Sequence, residues 1–328
     1  MSSQPSLFSL VSHDGQLAAT LSTAGGIMTS LRHNATGLPP REVLYRAPWL
    51  DDAAACAGLA PLMQRLAGEW VAVPFGHSLQ DGMGFFHHAS HGLPVNGEWQ
   101  ITAHKNNAIQ LQFLFPEDFP LARLTREITL QDEGKVCFRL TIEARQESRF
   151  PIGLHPIFPI DNDEGDVILT AENMQGGIVY PQAPEPGISQ LAPLARFNSL
   201  AAVPTITGSI MNLQRLPLAE TTEEIVQLLN PVSAISLHYP TQQRRVTLRW
   251  DTQSLPHCLL WFSNGGRAYA PWNGRNRCLG VEPVCSAWDL GPKSLRDNPI
   301  AAQGYATSQN ITPEKPLTID YQLHCQRA

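Results

Sequence analysis

The sequence predicts an antiparallel β sandwich that forms one domain over residues 1–328. Three observations support this fold class. Short segments of alternating apolar and polar residues recur, proline and glycine (27 and 24 residues) are scattered as turn residues would be, and only one segment has a convincing helical signature. Hydrophobic residues occupy 43% of the 328 positions, which is enough for a large core, and no linker divides the chain.

The strands predicted near the amino terminus form a pair. Alternation over residues 15–31 is interrupted by Gly25-Gly26, which indicates a strand, a tight turn and a second strand. Residues 51–63 permit a short helix. A loop rich in glycine, histidine and phenylalanine follows over residues 74–94, and a loop of this length inside a compact domain is usually functional.

Two predicted hairpins follow the loop. Their strands alternate over residues 99–115 and, around a turn at 132–134, over residues 124–142. Two later segments alternate in the same way: residues 246–250 and 317–323. The one predicted helix with a clear start begins at residues 221–224, which have capping-box spacing, and ends before Pro231.

Composition narrows the class of partner. The formal net charge is −6 and charged residues make up 16% of the chain, so we expect neither nucleic acid nor an anionic membrane surface as the partner. No signal peptide and no run of about 18 apolar residues is visible, which predicts a cytoplasmic protein outside the membrane. The class of partner that remains is a small, neutral molecule. We expect the protein to bind it as a monomer or a homodimer.

The sequence also predicts no cofactor. The six cysteines lack C-x-x-C spacing, which favours reduced thiols over a zinc site, and no P-loop or G-x-G-x-x-G fingerprint is present. The loop histidines His87, His88 and His91 invite interpretation as a metal site, because imidazoles are common ligands. No acidic or cysteine ligand stands at a matching interval, so we predict that they hold no metal.

One carboxylate stands in apolar surroundings. Glu282 lies among leucine and valine residues, and the nearby Gly280 and Pro283 indicate an interrupted strand. We therefore predict a partly desolvated carboxylate at a strand end or bulge, facing a cleft, with a raised pKa that makes it a stronger base toward a hydroxyl group. The alternative is a structural glutamate that caps a turn or pairs with Arg275 or Arg277.

Two histidines are candidates for contact with a ligand. His91 precedes Gly92, whose small size permits close approach of the backbone, and its imidazole is expected to contact a ligand hydroxyl. His155 lies in an apolar segment, residues 150–158, where an imidazole that titrates near neutral pH suits a general acid. A surface histidine at position 91 and a core histidine at position 155 are the alternatives.

Four segments resemble, in this order, the aldose 1-epimerase (galactose mutarotase) family: residues 64–68 around Arg65, His91-Gly92 followed by Trp99, residues 154–158 and residues 279–283. The resemblance implies a large antiparallel β supersandwich with few short helices. It also implies an isomerase that interconverts the α and β anomers of an aldose by acid/base ring opening, without metal or nucleotide. Carried over residue by residue, it makes Glu282 the catalytic base and His155 the general acid. Arg65 and His91 become the residues that hold the sugar hydroxyls and the ring-side oxygen.

Departures from that family leave the substrate open. Gln64 stands where many relatives have asparagine, and Pro156-Ile157 stands where relatives often have Thr-Tyr or Ser-Tyr. A further sugar-contacting aspartate of the family has two candidates in this chain, Asp251 and Asp289.

Aromatic and basic residues upstream of Glu282 add predicted sugar contacts. Trp272 is predicted to stack on the sugar and Arg275 to bind its hydroxyls or a phosphate, whereas Trp261 is expected in the aromatic core. Arg275, Arg277 and the pair Arg244-Arg245 favour a sugar-phosphate mutarotase as one alternative function. A non-catalytic carbohydrate-binding protein with the same fold is the other.

Overall fold

A computed structural model describes residues 6–77, 90–160 and 166–328. Within these residues the chain consists mainly of strands, with two α-helices of four residues each, α1 (Ala53–Cys56) and α2 (Leu93–Asn96). The strands of the first half are β1 (Leu7–Val11), β2 (Leu17–Ser22), β3 (Ile27–His33), β4 (Arg41–Glu42), β5 (Val71–Ala72), β6 (Gln100–His104), β7 (Ala108–Leu114), β8 (Leu121–Gln131), β9 (Lys135–Ala144), β10 (Ser148–Phe150), β11 (Ile152–Leu154) and β12 (Ile157–Pro159). The strands of the second half are β13 (Val167–Glu172), β14 (Gly177–Val179), β15 (Arg196–Phe197), β16 (Val203–Pro204), β17 (Ile210–Met211), β18 (Arg215–Leu216), β19 (Thr222–Leu228), β20 (Ala234–Tyr239), β21 (Arg244–Trp250), β22 (His257–Asn264), β23 (Arg277–Cys285), β24 (Gln309–Ile311) and β25 (Leu317–Arg327). Short 3-10 helices cover Met63–Arg65, Pro240–Gln242, Gly291–Leu295 and Ala301–Gln303.

Two large sheets form the body of the described chain. The first has the strand order β18-β13-β20-β21-β25-β9-β8-β7-β6, and the second has the order β15-β14-β19-β22-β23-β11-β5, with β12 also paired to β23. Neighbouring strands run antiparallel throughout both sheets. A four-stranded sheet, β1-β2-β3-β4, and the pairs β10-β24 and β16-β17 complete the described strands. The predicted all-β, antiparallel fold class is confirmed.

The hydrophobic core follows from alternation along the strands. In β8 and β9 successive residues alternate between the core and the outer face, so that Ile128 and Phe138 are buried. Leu260 of β22 and Leu279 of β23 belong to the same buried cluster, which therefore joins the two large sheets. Full burial of one such side chain contributes about 1.5–3 kcal/mol, so these alternating strands supply much of the driving force for folding.

The predicted hairpins are confirmed as β6-β7 and β8-β9. In the turn between β8 and β9, Glu133 and Gly134 have φ values of 59° and 73°, and a Cβ on Gly134 would run into the carbonyl group of Cys325. The strand pair β2-β3 around Gly25-Gly26 is also present. Helix α1 lies in the segment predicted to be helical, and its cap Asp52 accepts hydrogen bonds from two backbone N–H groups.

The helix predicted from residues 221–224 is wrong. The segment belongs to β19, whose seven residues are all buried and pair with β14 and β22. The Glu224 carboxylate accepts a hydrogen bond from the Gln190 backbone N–H (2.5 Å), and the Glu223 carboxylate accepts one from the Ser263 hydroxyl (2.8 Å). Buried carboxylates require such partners, so tertiary contacts, and not helix capping, explain the acidic residues of this segment.

Three further findings bear on partners and cofactors. Across the described ranges, no helix is long and apolar enough to cross a membrane. In the same ranges, no group of three or more histidine, cysteine and acidic side chains is arranged to hold a metal ion. His87 and His88, considered above as metal ligands, lie outside the described residues. All six cysteines have free thiols.

Candidate active site

A gap in strand pairing places His155 beside Glu282. Glu282 lies in the middle of β23 and pairs with Leu259 of β22, so the prediction that it ends a strand is wrong on that side. On the other side, β11 and β12 both pair with β23 but leave a gap, which His155 and Pro156 occupy. Val281 donates its backbone N–H to the Pro156 carbonyl (2.9 Å) across the gap. The sheet therefore brings together two residues that are distant in sequence.

Gly280 makes room for the carboxylate. Residues two apart in a strand share a face, so position 280 lies on the same side as Glu282. A Cβ at position 280 would stand 2.5 Å from Glu282 Oε1 and 3.3 Å from the side chain of Trp261. Gly280 remains in register with Trp261 on one side and Ile157 on the other. Its function is to provide space, and not to interrupt the ladder as the sequence indicated.

Glu282 and His155 are in direct contact. Glu282 Oε1 lies 3.2 Å from His155 Nε2, and the two side chains are 2% and 6% exposed. Trp70 stacks on the imidazole with ring centroids 3.9 Å apart and planes 16° apart. The Trp70 carbonyl also accepts a hydrogen bond from the His155 backbone N–H (2.8 Å). Stacking and backbone pairing together fix the orientation of the imidazole.

Burial determines the charge of this pair. Desolvation raises the pKa of Glu282 well above its ordinary value, and the negative charge of Asp289 raises it further. Desolvation lowers the pKa of His155 to about 3, and the charge of His77 acts in the same direction. Both shifts favour an uncharged pair in which the Glu282 carboxyl group donates to His155 Nε2. A shift of this one proton converts the pair to carboxylate and imidazolium.

The pair lies in a cavity of about 270 Å³. This volume is close to the lower end of the ~300–1,000 Å³ typical of small-molecule sites and suits a monosaccharide. Trp70, Trp261 and Trp272 line it, and the Trp261 and Trp272 rings meet edge to face with centroids 6.3 Å apart. Aliphatic residues form another part of the wall: Ala60, Leu62, Met63, Leu66, Ile225 and Leu259. Trp272 lines the cavity, and Trp261, expected only in the core, belongs to both the wall and a buried cluster.

His91 lies in the cavity wall next to the pair. Its ring centroid is 5.2 Å from that of His155, and burial, followed by the charge of His155, lowers the pKa of His91 well below its ordinary value. Nδ1 of His91 accepts a hydrogen bond from the Gly76 backbone N–H (3.4 Å), so the proton of the neutral ring is on Nε2. Gly92 is tightly packed, since a Cβ there would stand 2.6 Å from the Val73 carbonyl oxygen.

Two predicted ligand-binding arginines lie outside the cavity lining. Arg65 ends a 3-10 helix, where its Nε donates to the Pro61 carbonyl (3.0 Å), and the neighbouring Leu66 lines the cavity instead. Arg275 is exposed on the turn that follows Trp272. The structure therefore does not bring either guanidinium group to the Glu282–His155 pair.

Arg267, which the sequence did not single out, lines the cavity. Its Cζ lies 4.5 Å from the ring centroid of Trp272 and 5.7 Å from that of Trp261. Its Nε is 3.7 Å from a Glu185 carboxylate oxygen and 3.9 Å from one of Glu223. The guanidinium group is thus held against two tryptophan faces by cation–π contacts and by two nearby carboxylates.

Of the two aspartates considered, Asp289 lines the cavity. Its Oδ2 lies 2.9 Å from His77 Nε2. Hydrogen bonding and charge from Asp289 raise the pKa of His77, and the same contact lowers the pKa of Asp289 although burial acts to raise it. Asp251 instead caps a turn after β21, where it accepts hydrogen bonds from Gln253 N (2.9 Å) and Ser254 Oγ (2.6 Å).

Three solved structures share this architecture over nearly the whole chain. The Slr1438 protein from Synechocystis sp. PCC 6803 has a TM-score of 0.68 and 15% identity, covering 99% of this chain and 97% of that one. A galactose mutarotase-like protein from Lactobacillus casei has a TM-score of 0.63 and 14% identity, covering 98% and 100%. A GalM/aldose epimerase homologue from C. elegans has a TM-score of 0.64 and 12% identity, covering 99% and 100%. These similarities show a galactose mutarotase-like fold, as predicted.

The family assignment comes from the sequence itself. The family model of the aldose 1-epimerases matches residues 9–181, which is more than half of the chain. The chain therefore belongs to the aldose 1-epimerase family, which confirms the resemblance drawn from its motifs. No curated protein sequence matches it. His91 and His155 lie within the matched residues, and Glu282 lies beyond them.

Proposed function

We propose that this protein is an aldose 1-epimerase that interconverts the α and β anomers of a monosaccharide. The observation that carries the proposal is the contact of 3.2 Å between Glu282 Oε1 and His155 Nε2 in a cavity of monosaccharide size. In a cyclic aldose, the anomeric hydroxyl oxygen and the ring oxygen are bonded to the same carbon. An acid and a base that lie side by side can therefore contact both oxygens at once.

The reaction requires one proton to move in each direction. After the shared proton shifts to His155, the Glu282 carboxylate takes the proton of the anomeric hydroxyl while Nε2 of the imidazolium gives its proton to the ring oxygen. The bond between C1 and the ring oxygen breaks, and the C1–O1 bond becomes the double bond of the aldehyde. Rotation about C1–C2 and the reverse transfers close the ring on the other face. Each positioned transfer is typically worth ~10²–10⁴-fold.

The cavity wall supports recognition of a sugar ring. The faces of Trp261 and Trp272 offer aromatic surface for the C–H bonds of a pyranose, and the Nε2–H of His91 is a donor for a hydroxyl oxygen. Stacking and hydrogen bonding together hold the hemiacetal over the pair. Positioning of this kind contributes to the rate by keeping the reacting atoms within ~3–3.5 Å.

The charges near the cavity favour a neutral sugar over a sugar phosphate. Arg267 is the one arginine among the described residues that line the cavity, and Glu185 and Glu223 lie within 4 Å of it. Arg277, one basis for the phosphate interpretation, donates to Asn264 Oδ1 (2.9 Å). A phosphate-specific site needs cations that face the ligand without a carboxylate beside them. Arg267 has two carboxylates within 4 Å, and neither Arg275 nor Arg277 lines the cavity.

Anomer exchange measured by magnetization-exchange NMR, across a panel of neutral aldoses and sugar 6-phosphates, tests the proposal. We expect acceleration for at least one neutral aldose and a loss of on the order of 10² or more in kcat in Glu282→Gln and in His155→Asn. Glu172→Gln, which changes an exposed carboxylate paired with Arg249, is the matched control and should leave the rate unchanged. Sugar binding without acceleration in the wild-type protein would instead establish a non-catalytic carbohydrate-binding protein.

A further inference from the structure

A chain of three polar side chains lies in the cavity wall beside the catalytic pair. Ser90 Oγ is 2.8 Å from His77 Nδ1, and His77 Nε2 is 2.9 Å from Asp289 Oδ2. All three residues line the cavity, and Asp289 is 8% exposed. The mechanism above uses none of them. Ser90 is half-buried and lines the cavity, so its hydroxyl can contact a ligand there.

Backbone contacts fix the position of this chain. His77 donates its backbone N–H to the Asp289 carbonyl (2.8 Å), and a Cβ on Gly76 would stand 2.5 Å from that same oxygen. Asn96 Nδ2 donates to the Ser90 carbonyl (2.9 Å) and so holds the serine backbone. The serine hydroxyl therefore has a defined location relative to the cavity.

We infer that Ser90 is a specificity-determining contact for one hydroxyl group of the bound sugar, and that the ion pair of His77 with Asp289 sets the direction of the serine hydrogen bond. The inference deepens the proposed epimerase function and rests on it. The ligand class is a cyclic polyol, because the contact serves any group that both donates and accepts a hydrogen bond.

The protonation state of His77 determines what Ser90 offers to a ligand. When His77 is neutral, Nε2–H donates to Asp289 and Nδ1 accepts from Ser90, so only lone pairs of Oγ face the ligand. When His77 is protonated, Nδ1–H donates to Oγ and the serine hydrogen is free to donate. A sugar hydroxyl satisfies both states, whereas a fluorine atom in its place accepts only.

The groups that face His77 decide when it changes state. Asp289 contacts Nε2 of His77, Arg267 acts on His77 through its charge, and the His91 ring lies with its centroid 5.5 Å away. Hydrogen bonding to Asp289 raises the pKa of His77 above its ordinary 6.5, against burial and the charge of Arg267. The change from donor to acceptor at Ser90 therefore takes place above about pH 6.5.

A panel of monodeoxy analogues of the best substrate tests the contact. In the wild-type protein, removal of the hydroxyl at one ring position should lower kcat/KM by on the order of tenfold through this contact, and Ser90→Ala should abolish that selectivity at the same position alone. Ser9→Ala, on an exposed position of β1, is the matched control. An unchanged selectivity pattern in Ser90→Ala would overturn the inference.

A second measurement tests the role of His77 and is independent of folding defects. The ratio of kcat/KM for the matching deoxyfluoro sugar to that for the parent sugar cancels the titration of the catalytic pair. This ratio should fall as the pH rises through the pKa of His77 in the wild-type protein and be constant in Ser90→Ala. His77→Asn keeps an amide near Ser90 and His77→Gln keeps one near Asp289, and both should remove the pH dependence. A pH-dependent ratio that persists in both variants would contradict the assignment.

A failure of the Ser90 contact can be distinguished from a failure of the proposed epimerase function. If no sugar is epimerised, the same analogues can be compared by calorimetric binding to the wild-type protein and to Ser90→Ala. If the effects of Ser90→Ala and of removing one sugar hydroxyl on the binding free energy are coupled at a single ring position, the contact is supported even without the reaction. If they are additive at every position, the contact is rejected.

Discussion

Replacement of Gly153 by alanine tests whether the geometry of the Glu282–His155 pair depends on close packing of β11. Gly153 is buried in β11, two positions before His155. A Cβ there would stand 2.8 Å from Phe75 Cε2 and 2.9 Å from Val284 Cγ1, and closer still to Phe75 Cδ2. Carbon atoms in contact are ~3.5–4.0 Å apart, so relief of the overlap requires a relative movement of about 1 Å.

The movement has two expected effects. Overpacking of this kind lowers the free energy of unfolding by ~1–3 kcal/mol. The Phe75 ring packs edge-on against His91, with centroids 5.1 Å apart, and β11 ends directly before His155. If the overlap is relieved by a movement of Phe75, His91 moves with it. If it is relieved by a movement of β11, His155 moves. A misplacement of ~1 Å can reduce a rate by about 10²-fold, and we expect a fall of that order in kcat/KM for anomer exchange.

The measurement pairs urea unfolding with magnetization-exchange NMR. Gly176→Ala is the matched control, because a Cβ at that position has its nearest neighbours at 3.5 and 3.6 Å, which is ordinary contact. Gly153→Ala combined with Phe75→Leu should recover part of the lost stability. If Gly153→Ala retains full kcat/KM, the packing of β11 does not position the pair and the reasoning is refuted.

Three further predictions follow from charge and burial. Because Glu282 and His155 share one proton and the pKa of His155 is about 3, kcat/KM should be constant from about pH 5 to about pH 7 in His77→Asn, which removes the titration of the neighbouring histidine, and an inflection near 6.5 in that variant would contradict the uncharged pair. His257 accepts from Asn230 N and contacts the Ala306 carbonyl through Nε2, and burial lowers its pKa to about 4. The unfolded chain takes up this proton below about 6.5 and the native state does not, so His257 accounts for about 3 kcal/mol of the stability lost between about pH 6.5 and pH 4, and other buried histidines add to that loss. In urea titrations the loss should be smaller by about this amount in His257→Gln, and an equal loss in the variant would contradict the assignment. Arg267→Ala should raise KM for a neutral sugar about tenfold with a smaller change in kcat, because the guanidinium group supports the tryptophan faces without reaching the reacting atoms; an equal fall in kcat would place it in the reaction.

The parts of the fold that depend on local pattern were predictable. Alternation in β8 and β9 and the turn at Glu133 and Gly134 are encoded by neighbouring residues, so the hairpin was found from sequence. The capping-box spacing at residues 221–224 does not start a helix, because Glu223 accepts from the Ser263 hydroxyl and Glu224 accepts from the backbone N–H groups of Gln190 and Leu191, all distant in sequence. Helix propensity and capping rules are local, and a buried central strand overrides them.

The candidate site was predictable only in part, for a similar reason. The apolar surroundings of Glu282 and His155 indicated desolvation, and family resemblance supplied their relationship. Nothing local to Arg267 distinguishes it from Arg275, eight positions later, and only the path of the chain between β22 and β23 places the first in the cavity and the second in solvent. The contact of His77 with Asp289 spans more than 200 residues and has no signal in either segment.

The gap between β11 and β12 determines which parts of the candidate site can change in sequence independently of the Glu282–His155 pair. The strands on both sides of His155 pair with β23, which carries Glu282, so the two side chains form one rigid unit inside a sheet. Most of the polar lining, including Ser90, His91 and Arg267, comes from connecting segments outside that unit. Changes in the connecting segments can therefore alter the ligand selectivity of the cavity while the spacing of Glu282 and His155 is preserved.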